Sequence, residues 1–151
     1  MFRGKDIPET ADKAQAYAEA AFVKVEKHLK SYCNGYAVTV RYDFEDHTVV
    51  ITGCVAKPGI DRVALKNAAQ INAQLLANAP NKVATSQLAF PGAVRRGEWV
   101  ISVASLHNDS EAFALCIASG IGLMPQSEVF GIAATLQIVD RVRSFAGLIA
   151  A

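Results

Sequence analysis

The chain has 151 residues, with 15 basic against 14 acidic side chains and a net charge near +1. That length suits one domain with its own core, and the balanced charge gives no electrostatic case for nucleic acid or an anionic membrane. Apolar residues make up 52% and charged residues 19%, a mix that leans toward a protein with apolar surface to cover beyond its core.

The three cysteines, Cys33, Cys54 and Cys116, are widely spaced and odd in number. No CxxC or metal-type pair occurs, so neither a disulfide framework nor a zinc site is expected. Met1 to Asp6 lacks the apolar run of a signal peptide, and no apolar stretch is long enough to span a bilayer without interruption. A cytoplasmic location is the expectation.

Residues 1–9 read as a short arm ended by Pro8, with Thr10 as N-cap and Asp12 in the first turn of a helix. Tyr17, Ala21, Val25, Leu29 and Tyr32 repeat at helical spacing, and Asn34-Gly35 stops the run. His28, near the end of that helix, complements the helix dipole. Tyr36, Val38, Val40, Tyr42 and Phe44 then alternate with smaller or polar residues, as a half-buried strand requires. Glu45-Asp46-His47 makes the turn, and Thr48 to Val55 returns, so the two strands form a hairpin. Gly53 within the second strand marks a bulge or close packing. Asp43, Glu45, Asp46 and His47 form the densest polar cluster in the chain. Carboxylates beside a histidine suit a divalent metal or acid–base chemistry, although a hairpin tip ordinarily carries solvated charge.

Pro58-Gly59 breaks the chain, and Asp61 caps a helix running to about Asn78. Its apolar side is Leu65, Ala68, Ala69, Ile71, Leu75 and Leu76, and its polar side is rich in amides and poor in charge. Val83 to Phe90 reads as a strand, Arg95-Arg96-Gly97-Glu98 as a turn, and Trp99 to Leu106 as the next strand. Two arginines beside the only tryptophan suggest a cation–π clamp or a small basic contact patch formed by Arg95, Arg96 and Trp99. His107 to Ser110 is a turn, and Phe113 to Ile121 reads as a further strand of small residues. Gly120-Ile121-Gly122 lacks the third glycine and the lysine of a phosphate loop and reads as punctuation before a helix led by Pro125.

The last segment, Gln126 to Ala150, reads as one helix with two apolar stripes. One follows Val129, Ile132, Leu136 and Val139; the other follows Ile138, Val142, Phe145 and Ile149. One stripe suffices to sit on a sheet, so the second needs another cover, and Ile132, Leu136, Val139, Val142 and Phe145 are the candidate dimer or partner surface. The full order is α-β-β-α-β-β-β-α: a single α+β domain of two layers, with an antiparallel sheet of about five strands and three helices on one face.

The stretch from Ala69 to Asn72, then Lys82 to Phe90, then Gly120 to Pro125 opening into Val129 to Leu148, resembles the type III secretion chaperone superfamily and its non-secretion bacterial relatives. The resemblance implies a homodimer with apolar grooves that hold an extended partner segment by strand addition, and it brings no catalytic residues. Tyr17 to Phe90 also resembles the BON module, on Val38 to Arg41, Thr48 to Val55, the Val63–Leu76 helix and the Val83 strand. The strand and helix order is shared as well with the roadblock-type dimerisation fold. The expected function is a non-enzymatic, chaperone-like domain that pairs with itself and binds another protein segment, without cofactor or metal. The alternative is a small-molecule or metal-binding sensor or enzyme that uses the acidic hairpin tip with His47 or His107, or a BON-like lipid or protein interaction module.

Overall fold

Two hairpins make the sheet, and helices cover both of its faces. The computed structural model describes residues 7–28, 35–44, 47–79, 92–104 and 109–151. In chain order these form α1 (Ile7–Val25) with a short 3-10 turn at Glu26–His28, β1 (Gly35–Phe44), β2 (His47–Ala56) and α2 (Arg62–Ala77). They continue with β3 (Ala93–Arg96), β4 (Trp99–Ala104), α3 (Ser110–Gly120), α4 (Gln126–Leu136) and α5 (Val139–Ala150). The α+β class is as expected. Among the described residues the sheet has four strands, all antiparallel, in the order β2-β1-β4-β3.

Alternation along the strands sorts the side chains into two cores. Tyr36, Val38 and Val40 of β1, with Ile101 and Val103 of β4, face α1 and α3 to α5 in the main core, which also holds Phe113, Leu115, Ile117 and Phe145. Ala37 and Ala104 face the other way onto Leu65 and Ala69 of α2, and Val100 and Ala93 meet Ala73 and Leu76. The fold therefore has three layers, helix–sheet–helix, and the two-layer arrangement is corrected. The physical reason is that neither face of β1 from Gly35 to Val40, or of β4 from Trp99 to Ala104, is wet: Thr39 and Ser102 are fully buried alongside the apolar residues, and Thr39 bonds Thr52 at 2.9 Å. An alternating strand with small residues on its second face reads as half-exposed when it is covered twice.

Several boundaries also move. The first helix begins at Ile7, which is fully buried, and Pro8 sits inside its first turn, where a missing N–H costs nothing. Thr10 is accordingly a buried helical residue rather than the N-cap. The face that meets the sheet is the small one, Ala11, Ala14, Ala18 and Ala21, so the helix axis lies close to the strands. Close approach continues at Gly53, where a Cβ would collide with the side chain of Gln15. The β1–β2 register runs without a break from Gly35↔Ala56 to Phe44↔His47, so Gly53 serves close packing and not a bulge.

Residues 113–120 are helix, not strand. From Ser110 to Ala118 every residue of α3 is buried, so no amphipathic period marks the segment, and a short apolar run leaves helix and strand indistinguishable. Gly122, at φ +81, closes it: the N–H of Leu123 reaches the carbonyl of Ala118 at 2.9 Å and that of Gly122 reaches Ser119 at 3.1 Å. This is a Schellman stop, which accounts for the glycine pair as punctuation. The arginine turn is half strand, since Ala93–Arg96 is β3, and only Gly97-Glu98 turns the chain into β4. The strand read at Val83 to Phe90 lies outside the described residues.

The last helix is two helices. Gln137 adopts φ 61 and ψ 38, the left-handed conformation, while the N–H of Ile138 reaches the carbonyl of Ala133 at 2.9 Å and that of Gln137 reaches Ala134 at 3.1 Å. The chain reverses there without a glycine. The described residues thus hold five α-helices rather than three.

Candidate functional site

The break at Gln137 decides the fate of the doubly striped segment. It lets α5 turn back and pack on α3, α1 and α4, which brings part of both stripes against the core. Val142 and Phe145 are core residues, Phe145 fully buried with its ring edge-on to Phe113 at 6.4 Å. Ile132, Leu136 and Val139 are half-buried, and Ile132 and Val139 lie against the same core. Arg141 locks the arrangement through a two-pronged bond to Asp109 at the start of α3, at 2.7 and 2.9 Å, and its guanidinium lies 4.4 Å from the centre of the Phe145 ring. The bond to Asp109 pushes the Arg141 pKa up, and burial opposes it only in part. Beneath α5 the thiol of Cys116 is pushed up to about 12 by burial, which makes it an inert apolar filler.

The large apolar side chains that remain in water are elsewhere. Among the described residues, three of the six belong to α2: Val63 at 67% exposure, Ile71 at 53% and Leu75 at 43%. This helix is well specified locally, with the Asp61 carboxylate accepting from the Ala64 N–H at 3.0 Å. Its apolar residues form two lines about a third of a turn apart. Leu65, Ala69, Ala73 and Leu76 turn inward onto the sheet, whereas Ala64, Ala68, Ile71 and Leu75 turn outward. The outward line has i, i+4, i+7, i+11 spacing, that of a helix-pairing seam. Charge on α2 is limited to Arg62 and Lys66, and the remaining polar positions are amides. Gln70 is spent on the fold, donating to Thr52 at 2.9 Å.

The arginine–tryptophan group divides across the sheet. Arg95 and Arg96 are adjacent on β3 and point to opposite faces. Arg95 is buried on the α2 side, where it donates to the carbonyl of Ala77 in the last helical turn. A cation suits the negative end of that helix. Arg96 lies on the other face with Trp99, its cross-strand neighbour, and donates to the carbonyl of Leu123 at 2.7 Å and to Glu128 at 3.2 Å. Trp99 is buried and leans on Tyr42, with ring centroids 4.6 Å apart. Tyr42, Arg96, Glu98, Trp99 and Leu123 line a cleft of about 580 Å³. The structure thus joins Arg96 with Trp99 and separates Arg95 from both.

Of the acidic hairpin tip, Glu45 and Asp46 lie outside the described residues, as does His107. Asp43 is engaged: Arg41 grips it with two bonds of 3.1 Å and Thr48 donates to it at 2.6 Å. Burial pushes its carboxyl up, but those hydrogen bonds and the nearby charges of Arg41 and Arg95 outweigh burial and hold it below the usual range. Among the described residues no three histidine, cysteine or carboxylate groups converge as metal ligands. The other perturbed carboxylate, Glu111, is raised by burial at the start of α3, although it accepts the Gly92 N–H. The outward stripe of α2 is not separable in the sequence, where Ala68, Ile71 and Leu75 read as one side with Leu65, Ala69 and Leu76. Resolving two stripes a third of a turn apart needs the position of the sheet. Compared with known protein families, with characterised proteins and with solved structures, the chain matches none.

Proposed function

We propose that the chain is a non-enzymatic protein-binding domain that pairs with a second copy of itself through the outer face of α2 and, as that pair, holds a segment of another polypeptide. The observation that carries this reading is the outward line Ala64, Ala68, Ile71 and Leu75, all four exposed to water along one helix. A two-fold interface sets the same patch against itself, so a neutral patch avoids the like-charge conflict that a charged one would meet. Covering that apolar area contributes roughly 25 cal/mol per Å². The engagement of Asp43 by Arg41 and Thr48 favours a structural reading of the hairpin tip over a chemical one. Among the described residues no helix is long and apolar enough to cross a membrane, and a cytoplasmic location is part of the same proposal.

The test is light scattering behind a sizing column over a dilution series. The chain is expected to run as a dimer that dissociates on dilution. Ile71→Glu and Leu75→Glu are expected to give folded monomers, while Leu136→Glu on α4 leaves the mass unchanged. A folded wild-type monomer persisting into the high micromolar range overturns the proposal.

A further inference from the structure

Among the described residues the sheet ends on β3 at one side and on β2 at the other, and the two edges differ. β3 has four residues, two of them arginines, and a short, charged edge discourages further pairing. β2 runs for ten residues with no proline, lysine or carboxylate, and its ladder to β1 has no bulge. From Thr48 to Val55 its backbone bonds β1 alone among the described residues, so every second residue points its N–H and C=O outward. Such a row is the template for one more extended chain.

The helices on either side of that edge carry charge of opposite sign. On α1, Gln15 lies over Gly53 of β2 and donates to Glu19 at 3.2 Å, which places Glu19 toward the edge. Asp12 stands two turns before Glu19 on the same line. The lysines of α1 turn elsewhere, Lys13 to Glu9 at 3.4 Å and Lys24 to the carbonyl of Ile149 at 2.7 Å. On α2, Arg62 donates to the carbonyl of Ala56 at 3.2 Å and Gln70 to Thr52 at 2.9 Å. Lys66 falls midway between them on one line of that helix and is exposed. A strand added to β2 therefore sends alternate side chains toward the carboxylates of α1 and toward Lys66 of α2.

A second copy of the chain does not suit this edge. Two-fold pairing of β2 sets Asp12 and Glu19 against themselves and Lys66 against itself. The exposed apolar line of α2 lies on the opposite side of that helix from Arg62, Lys66 and Gln70, so pairing through it leaves β2 open.

We propose that β2 takes an extended segment of another polypeptide as a further strand, its side chains alternating basic toward α1 and acidic toward α2. This rests on the reading that the chain holds a polypeptide segment, and it names the seat and the chemistry of that segment. The experiment is calorimetric titration of the full chain with a blocked octapeptide that alternates lysine and glutamate. Saturable binding of one peptide per chain is expected, with slowed amide hydrogen exchange in residues 48–55. A peptide of the same composition in the order Lys-Lys-Glu-Glu puts both signs on both faces and is expected to bind about tenfold more weakly. The alternating peptide N-methylated throughout keeps its charges but has no backbone donor, and it is expected not to bind. The exposed variant Asp12→Lys with Glu19→Lys is expected to lose about tenfold in affinity. Adding Lys66→Glu is expected to restore it, since the peptide then seats one residue out of register. Absence of binding overturns the proposal, as does binding that survives N-methylation or leaves exchange in β2 unchanged. Equal affinity for the two charge orders overturns the alternating pattern. Ile71→Glu is expected to bind the peptide undiminished as a monomer, so a failed peptide test and a failed pairing test are told apart.

Discussion

Helix α2 and the α4–α5 pair began with the same problem and ended differently. Each carries two apolar stripes, and one sheet face can cover only one. In the C-terminal segment a left-handed Gln137 breaks the helix, and α5 returns to bury Val142 and Phe145 against α3. In α2 nothing breaks the helix over its sixteen residues, so Ile71 and Leu75 stay outside. A second apolar stripe is therefore a demand for cover, and whether a second chain supplies it depends on whether the first chain can bend.

The comparison can be broken most forcefully from the covered side. Phe145→Ala removes a fully buried ring and is expected to cost about 3–5 kcal/mol in urea unfolding. Ile71→Glu, on the uncovered side, is expected to change the stability of the monomer by less than about 0.5 kcal/mol while abolishing pairing. Next in size is the lock that holds α5 back. Asp109→Ala strips Arg141 of its bidentate partner and is expected to cost about 2 kcal/mol, with a double-mutant cycle against Arg141→Ala assigning the share of the pair itself. The hinge is expected to respond in the opposite direction. Gln137→Gly relieves a left-handed side chain and is expected to stabilise the fold by about 1 kcal/mol, measured by the shift in urea midpoint at constant slope.

The smallest expected effects are on pH dependence, and two carboxylates pull in opposite directions. Glu111 is raised in the folded chain, so the native state holds its proton more tightly and stability is lost as pH rises through its folded pKa. Glu111→Gln is expected to remove that loss, gaining on the wild type as pH rises from the acid side to neutrality. Asp43 is lowered, so its contribution is present at neutral pH and is lost as pH falls through its folded pKa. Asp43→Asn is expected to flatten that acid limb. Unfolding midpoints across the acid range separate the two.

What was legible in the sequence followed from short-range physics. The β1–β2 hairpin came from strict alternation, and α2 from Asp61 and its helical period; the hairpin's ladder and the Asp61–Ala64 cap are both present. The candidate surface was legible in part: both arginines stand near Trp99 in the sequence, but adjacent strand residues point apart, so only Arg96 joins Trp99. Residues 110–118 were unreadable because burial on all sides erases period.

The sequence by itself determined the α+β class, the register-bearing hairpin, the cap of α2 and the surplus of apolar surface, because these depend on neighbours within a few residues. Only the tertiary structure decided that helices cover both faces, that the last segment folds back at Gln137, and that the exposed stripe belongs to α2. Those outcomes depend on which surfaces meet across the chain: a helix shows which of its two stripes is inward only once a sheet is there to take one of them.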